Sequence, residues 1–187
     1  MRKFYAGIAA LLLVLGISAS ARADLVTNGS FETGTLAGWT DGGNLGWNAV
    51  AAVAAPGEGV FGINNGAVGS FSTLSQTLTT TPGANYAIDF WIRNDGAGIF
   101  NVVFDGSTVY SESGIAHAYA RHTVFGIAPT ASTLLQLQSR DDPGFLQFDG
   151  IHVNARVPEP STLTLLALGA AALVGSMRKR RRKADAA

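Results

Sequence analysis

Asn85-Tyr86-Ala87-Ile88-Asp89-Phe90-Trp91-Ile92-Arg93 decides the fold class. Tyr86, Ile88, Phe90 and Ile92 alternate with Ala87, Asp89, Trp91 and Arg93. One face of an extended segment is then apolar and the other mixed, which is the period of a half-buried β-strand. Pro82-Gly83 stands before it as a turn. Downstream, Asp105-Gly106 separates Phe100-Asn101-Val102-Val103-Phe104 from Thr108-Val109-Tyr110. An Asp-Gly pair between two such runs is a strong local mark of a tight hairpin.

Working outward, further short candidate strands fall at 47–53, 60–64, 69–78, 99–105, 107–111, 119–127, 133–139 and 145–153, separated by Gly, Pro, Asn and Asp. That spacing, uninterrupted by a long helical period, predicts an all-β sandwich or barrel. No fixed-length repeat is present, and a domain over 24–153 is large enough to bury one core. The chain has no cysteine, so packing and hydrogen bonds must hold the fold without disulfides.

The formal net charge of zero is segregated: residues 1–23 carry +3, residues 24–157 carry −7 and residues 158–187 carry +4. An acidic middle without a single lysine is a poor electrostatic match for nucleic acid. At the start, Arg2 and Lys3 precede an apolar run to Ile17, and Ala21-Arg22-Ala23 follows just before Asp24. These are the three regions of a secretory signal peptide. The expectation is a signal helix over 1–23, cut by signal peptidase after Ala23 with Ala21 and Ala23 at the recognition positions.

At the other end, a linker over 154–160 leads into an uncharged stretch, 161–177, and then Arg178-Lys179-Arg180-Arg181-Arg182-Lys183. As a helix the stretch would be about 25 Å long, close to the lower limit for crossing a bilayer core. The basic tail, 178–187, would stay on the cytoplasmic side and leave the domain outside, in agreement with an export signal. Pro158 and Pro160 prevent a helix from running continuously out of the domain.

Val157-Pro158-Glu159-Pro160, the short apolar span and the Arg-rich end together resemble the PEP-CTERM sorting signal of Gram-negative bacteria. The resemblance implies recognition of the triplet by an exosortase, a membrane-embedded cysteine protease, followed by delivery to the cell envelope or its polysaccharide matrix. Leu25-Val26-Thr27-Asn28-Gly29-Ser30-Phe31-Glu32, with Gly38-Trp39 after it and Phe148-Asp149-Gly150-Ile151 at the close, is similar to carbohydrate-binding-module-like jelly rolls of the galactose-binding-domain fold. That likeness implies a single jelly-roll β-sandwich. It also implies a structural calcium ion held by Glu32 and Asp149, with one ligand fewer because Gly150 stands where many such domains have a second acid. Asn28-Gly29-Ser30 matches a glycosylation sequon, and an Asn-Gly turn is the alternative use.

Catalytic signatures are sparse. The chain contains no His-Glu-x-x-His, no Gly-x-Ser-x-Gly and no phosphate-cradling glycine loop. His117, His122 and His152 lack metal-ligand spacing. Asp141, Asp142 and Asp149 are the imaginable carboxylates of a glycosidase, although Asp141-Asp142-Pro143-Gly144 reads more simply as a turn. Trp39, Trp47, Trp91, Tyr110 and Tyr119 offer faces for stacking on sugar rings. Trp39 belongs to the opening motif, which leaves Trp47 and Trp91 as the stacking candidates. The resulting expectation is an exported, membrane-tethered, non-catalytic protein that needs no cofactor and binds extracellular polysaccharide. A structural surface protein without a small ligand and a small glycosidase are the alternatives.

Overall fold

The computed structural model describes residues 23–156 together with Gly169. Apart from Ala23 and Gly169, the expected signal peptide, the Val157–Pro160 motif, the span over 161–177 and the basic tail lie outside the described residues.

Ten strands follow one another: β1 Thr40–Gly43, β2 Asn48–Ala51, β3 Gly62–Asn65, β4 Ser72–Thr79, β5 Asn85–Asn94, β6 Gly98–Phe104, β7 Ser107–Ser113, β8 His117–Ile127, β9 Ser132–Asp141 and β10 Leu146–Ala155. They form two five-stranded sheets, ordered β1-β4-β9-β6-β7 and β2-β3-β10-β5-β8, from antiparallel pairs. The compact unit that they build ends at Asn154, one residue short of the end of β10.

β5 keeps the alternation read from its residues: Tyr86, Ile88, Phe90 and Ile92 are buried and Arg93 is exposed. Between the sheets, Phe90 packs on Phe100 at 5.6 Å, Phe100 on Phe148 at 5.1 Å, and Phe148 on Phe31 at 6.4 Å between ring centroids. Leu74, Leu135, Leu137, Ile63, Ile151 and Val153 complete the core. Buried aromatic area of this kind is the main stabilising term available to a domain without cross-links. The β6–β7 hairpin turns on Asp105 and Gly106, both at positive φ (48° and 79°), as a two-residue turn matched to strand twist requires.

The opening motif has a geometric explanation. Gly29 lies so close to the last strand that a Cβ there would stand 1.9 Å from the Ile151 carbonyl oxygen, and Ile151 donates its N–H back to the Gly29 carbonyl. Phe31 stacks on Trp39, whose indole N–H donates to the Asn28 carbonyl at 3.1 Å. The Asn28 side chain donates to the Thr35 and Ala37 carbonyls and accepts the Thr33 N–H. Its use is a turn, and the pattern joins the chain entry to β10.

The register places the strand ends in two groups. Gly43 pairs with Ser72, Ser72 with Ser139, Gly98 with Asp141, Asn48 with Asn65, Asn65 with Leu146 and Asn94 with His117. The five loops 44–47, 66–71, 95–97, 114–116 and 142–145 each cross from one sheet to the other at this end, called the loop pole below. The opposite pole holds the end of β10 and the chain entry, where Leu25 donates its N–H to the Val153 carbonyl.

Candidate functional site

The outer face of the second sheet carries a row of polar side chains. Arg93 on β5 donates from Nη1 to Gln147 Oε1 at 2.8 Å, and Gln147 on β10 donates from Nε2 to Asn64 Oδ1 on β3 at 3.1 Å. The row follows from strand parity, because Gln147 and Asn64 are Cα partners in the β10–β3 register. Tyr119, on edge strand β8, stands beside it.

The connection between β2 and β3 folds over this face and is tied down at several points. Tyr119 donates its hydroxyl to the Val53 carbonyl. The Ala55 N–H donates to Asp149 Oδ2 at 2.8 Å, and the Trp91 indole N–H donates to Glu58 Oε1 at 3.1 Å. Between this loop and the row lies a groove of about 520 Å³, with Ala52, Val53, Ala54 and Pro56 on one wall and Arg93, Ala118, Tyr119 and Gln147 on the other. Burial, followed by the charge of Asp149, pushes the Tyr119 hydroxyl up, so it stays a neutral donor. An aliphatic wall, one aromatic ring, a guanidinium and a primary amide make the mixed apolar and hydrogen-bonding lining that suits a small polar ligand with apolar faces.

Asp149 is buried under the covering loop, and Glu32, which is exposed, bonds to the loop's far end. Glu32 Oε1 accepts the N–H groups of Val60 and Phe61 at 2.8 and 2.6 Å, and Asp149 accepts those of Ala55 and Gly150, one on each oxygen. Burial, with the charges of Glu58 and Glu32 added, pushes Asp149 up to about 7. Among the described residues no group of three or more His, Asp or Glu side chains is arranged to hold a metal ion. Each of these carboxylates already serves the loop's amides.

The tryptophans separate into three roles. Trp39 is buried in the opening motif. Trp91 is only partly exposed, with its indole bonded to the loop rather than facing the groove. Trp47 is 44% exposed at the loop pole, where it and the 55%-exposed Phe145 both pack against Gly66. Tyr110 is tied to Glu112 at 2.8 Å and packs edge-on to Phe90. The histidines serve the frame: His117 pairs with Glu112, His122 stacks on Phe90 and His152 bridges Asp24 and Glu58.

Asp141 closes β9 at the loop pole and Asp149 sits in mid-β10 under the loop, so the imagined glycosidase carboxylates do not line one cleft. The polar row was harder to foresee. Arg93 and Gln147 are ordinary strand residues in sequence, and only the pairing of β3, β10 and β5 aligns them.

A family model described as the PEP-CTERM protein-sorting motif matches residues 156–182. No curated protein matches the chain in sequence. Among solved structures the domain is similar to TmCBM61 in complex with β-1,4-galactotriose, at TM-score 0.61 and 16% identity over 72% of this chain and 99% of that one. It is similar to the CBM22-1 xylan-binding domain of Xyn10C from Paenibacillus barcinonensis, at TM-score 0.56 and 21% identity over 74% and 97%. It also resembles part of the enzymatically active domain of bacteriophage CBA120 tailspike protein 4, at TM-score 0.56 and 15% identity over 71% of this chain but only 21% of that one. The chain thus joins a jelly-roll β-sandwich with the architecture of carbohydrate-binding modules to a carboxy-terminal PEP-CTERM sorting motif.

Proposed function

We propose that this is an exported, non-catalytic polysaccharide-binding protein of the cell envelope or its matrix, and that the groove between Val53 and Arg93 takes the glycan. The Arg93–Gln147–Asn64 row beside Tyr119 carries this reading. Planar donors and acceptors held in place by one another present fixed hydrogen-bonding edges to sugar hydroxyls, and the aliphatic wall and phenol ring supply apolar contact. The sorting motif supports delivery to the envelope by an exosortase, and a polysaccharide matrix is the ligand source at that location. Signal peptidase and the membrane are the other partners of the precursor.

Affinity electrophoresis of the exported chain in gels containing β-1,4-galactan, xylan or the host's own exopolysaccharide tests the proposal. Retardation by at least one polymer is expected. Arg93→Ala and Tyr119→Ala should each weaken it about tenfold or more, the loss expected when a buried polar partner or stacking face is removed. Trp47→Ala should leave it unchanged. No retardation by any polymer, or loss in Trp47→Ala alone, would move function away from the groove.

A further inference from the structure

We infer that Asp95 and Asp141 form a binding site for a divalent cation at the loop pole, remote from the groove. Asp141, the last residue of β9, is wholly buried and neither of its carboxylate oxygens receives a hydrogen bond. A buried carboxylate without a donor is costly and rare in native structures, and bound ions are one of the few things that account for it.

The carboxylate converges with that of Asp95 against a glycine backbone. A Cβ built on Gly144 would stand 2.1 Å from Asp95 Oδ2 and 2.8 Å from Asp141 Oδ1. Asp95 accepts the neutral N–H groups of Ala97 and Phe145, both at 3.2 Å. Next to them, Arg140 pairs through Nε with Asp142 Oδ2 at 2.7 Å, and Asp142 Oδ1 accepts the Gly69 N–H.

Two carboxylates therefore meet beside Gly144. By contrast, Asp149, the other fully buried aspartate, accepts an amide N–H on each carboxylate oxygen.

Oxygen-only donors select a hard cation, and calcium tolerates an incomplete protein shell that backbone carbonyls and water complete. With only two carboxylates the affinity should fall in the weak range of extracellular modules, about 10⁻⁴ to 10⁻³ M. The ion would fasten loop 95–97 to loop 142–145, whose Phe145 amide already rests on Asp95, and so stiffen the mount of Phe145 beside Trp47.

Thermal unfolding of the exported chain in detergent, stripped with EDTA and titrated with calcium chloride at constant ionic strength, tests this. The melting temperature should rise saturably by roughly 4 °C up to 10 mM calcium, with a midpoint between about 0.1 and 1 mM. The rise should vanish in Asp141→Asn and Asp95→Asn and persist in Asp142→Asn and Glu32→Gln. Absence of any rise in the unsubstituted chain, with Asp141→Asn itself more stable, would overturn the site and leave a proton shared by the two carboxyls. A rise that survives Asp141→Asn but not Glu32→Gln would also overturn it and place the ion beneath the covering loop.

Discussion

The carboxylate of Asp24 accepts a hydrogen bond from His152 Nδ1 at 2.6 Å through Oδ2, while its Oδ1 accepts the N–H groups of Val26 and Val153. His152 turns its other nitrogen to Glu58 at 3.3 Å. With an acceptor at each end the ring is held as an imidazolium, and the hydrogen bond to Asp24 is the main reason it is raised to about 9. The residue that would begin the chain after cleavage at Ala23 is thus clamped to the strand that leads into the sorting motif. Entry and exit leave the domain at one pole, and the exposed rings of Trp47 and Phe145 project at the other.

This clamp sets a pH dependence of stability. The folded value of His152 lies above its unfolded 6.5, so its contribution is complete below about pH 6.5 and is lost as pH rises through 9. Asp149, raised from 3.8 to about 7, acts in the same sense: the fold prefers its protonated form, and that preference is lost as pH rises through 7. The melting temperature should therefore be highest near pH 5 and fall steadily to pH 9. His152→Gln should remove the part of the decline between pH 6.5 and 9, worth about 1 kcal/mol after solvent screening. Differential scanning calorimetry across that range decides it, and an unchanged slope in His152→Gln would reject the clamp as its cause.

Gly29→Ala isolates the contact between opening and closing segments. Gly29 is not at positive φ, so the substitution carries no backbone penalty of the left-handed kind and its cost is steric, a Cβ 1.9 Å from the Ile151 oxygen. Displacing that carbonyl also loosens the hydrogen bond from Ile151 N–H to the Gly29 carbonyl. A loss of at least about 2 kcal/mol is expected by denaturant unfolding, whereas Gly46→Ala, where nothing lies within 4 Å, should cost less despite its positive φ.

Much of this architecture could be read from the chain because its strands advertise themselves by alternation and by Gly, Pro and Asp punctuation. Each of the nine expected strands is present, and β5 and the Asp105-Gly106 hairpin lie where their residues put them. β1 was not legible. Thr40-Asp41-Gly42-Gly43 has no apolar residue, and it exists as a strand because it pairs with β4 from Thr40↔Ser75 to Gly43↔Ser72 and because Asn48 donates to Asp41 at 2.8 Å.

Single residues were harder for the same reason. Trp91 and Arg93 share the mixed face of β5, yet only the fold of loop 52–61 decides that Trp91 is capped by Glu58 while Arg93 lines the groove. Nothing local to Asp95 or Asp141 announces their convergence, which depends on two loops meeting across Gly144.

The groove makes a finer prediction than loss of binding. Tyr119→Phe keeps the ring and deletes the hydroxyl that holds the Val53 carbonyl, so loop 52–56 should loosen while the stacking face remains. Amide hydrogen exchange of residues 53–55 should speed up, and retardation by polysaccharide should fall less than in Tyr119→Ala. Equal losses in the two variants would mean that the loop's position, not the ring, determines recognition.

Processing completes the set. Asp24 is locked by three contacts, its carboxylate accepting from Val26, Val153 and His152, and the following residue, Leu25, donates to Val153. Cleavage after Ala23 would therefore leave a new terminus already incorporated in the fold, with no ragged segment for further trimming. Intact-mass measurement on the protein from envelope and extracellular fractions should show a chain beginning at Asp24. In a host with its exosortase the same chain should lack the residues that follow the Val157-Pro158-Glu159-Pro160 region, and in a host without it the chain should run to Ala187 and stay with the membrane. Removing the +4 tail would release a product carrying the −7 of residues 24–157, so the two forms should also separate by anion exchange. A chain that runs to Ala187 in both hosts would make the tail a permanent anchor and would confine any polysaccharide binding to the cell's own outer surface.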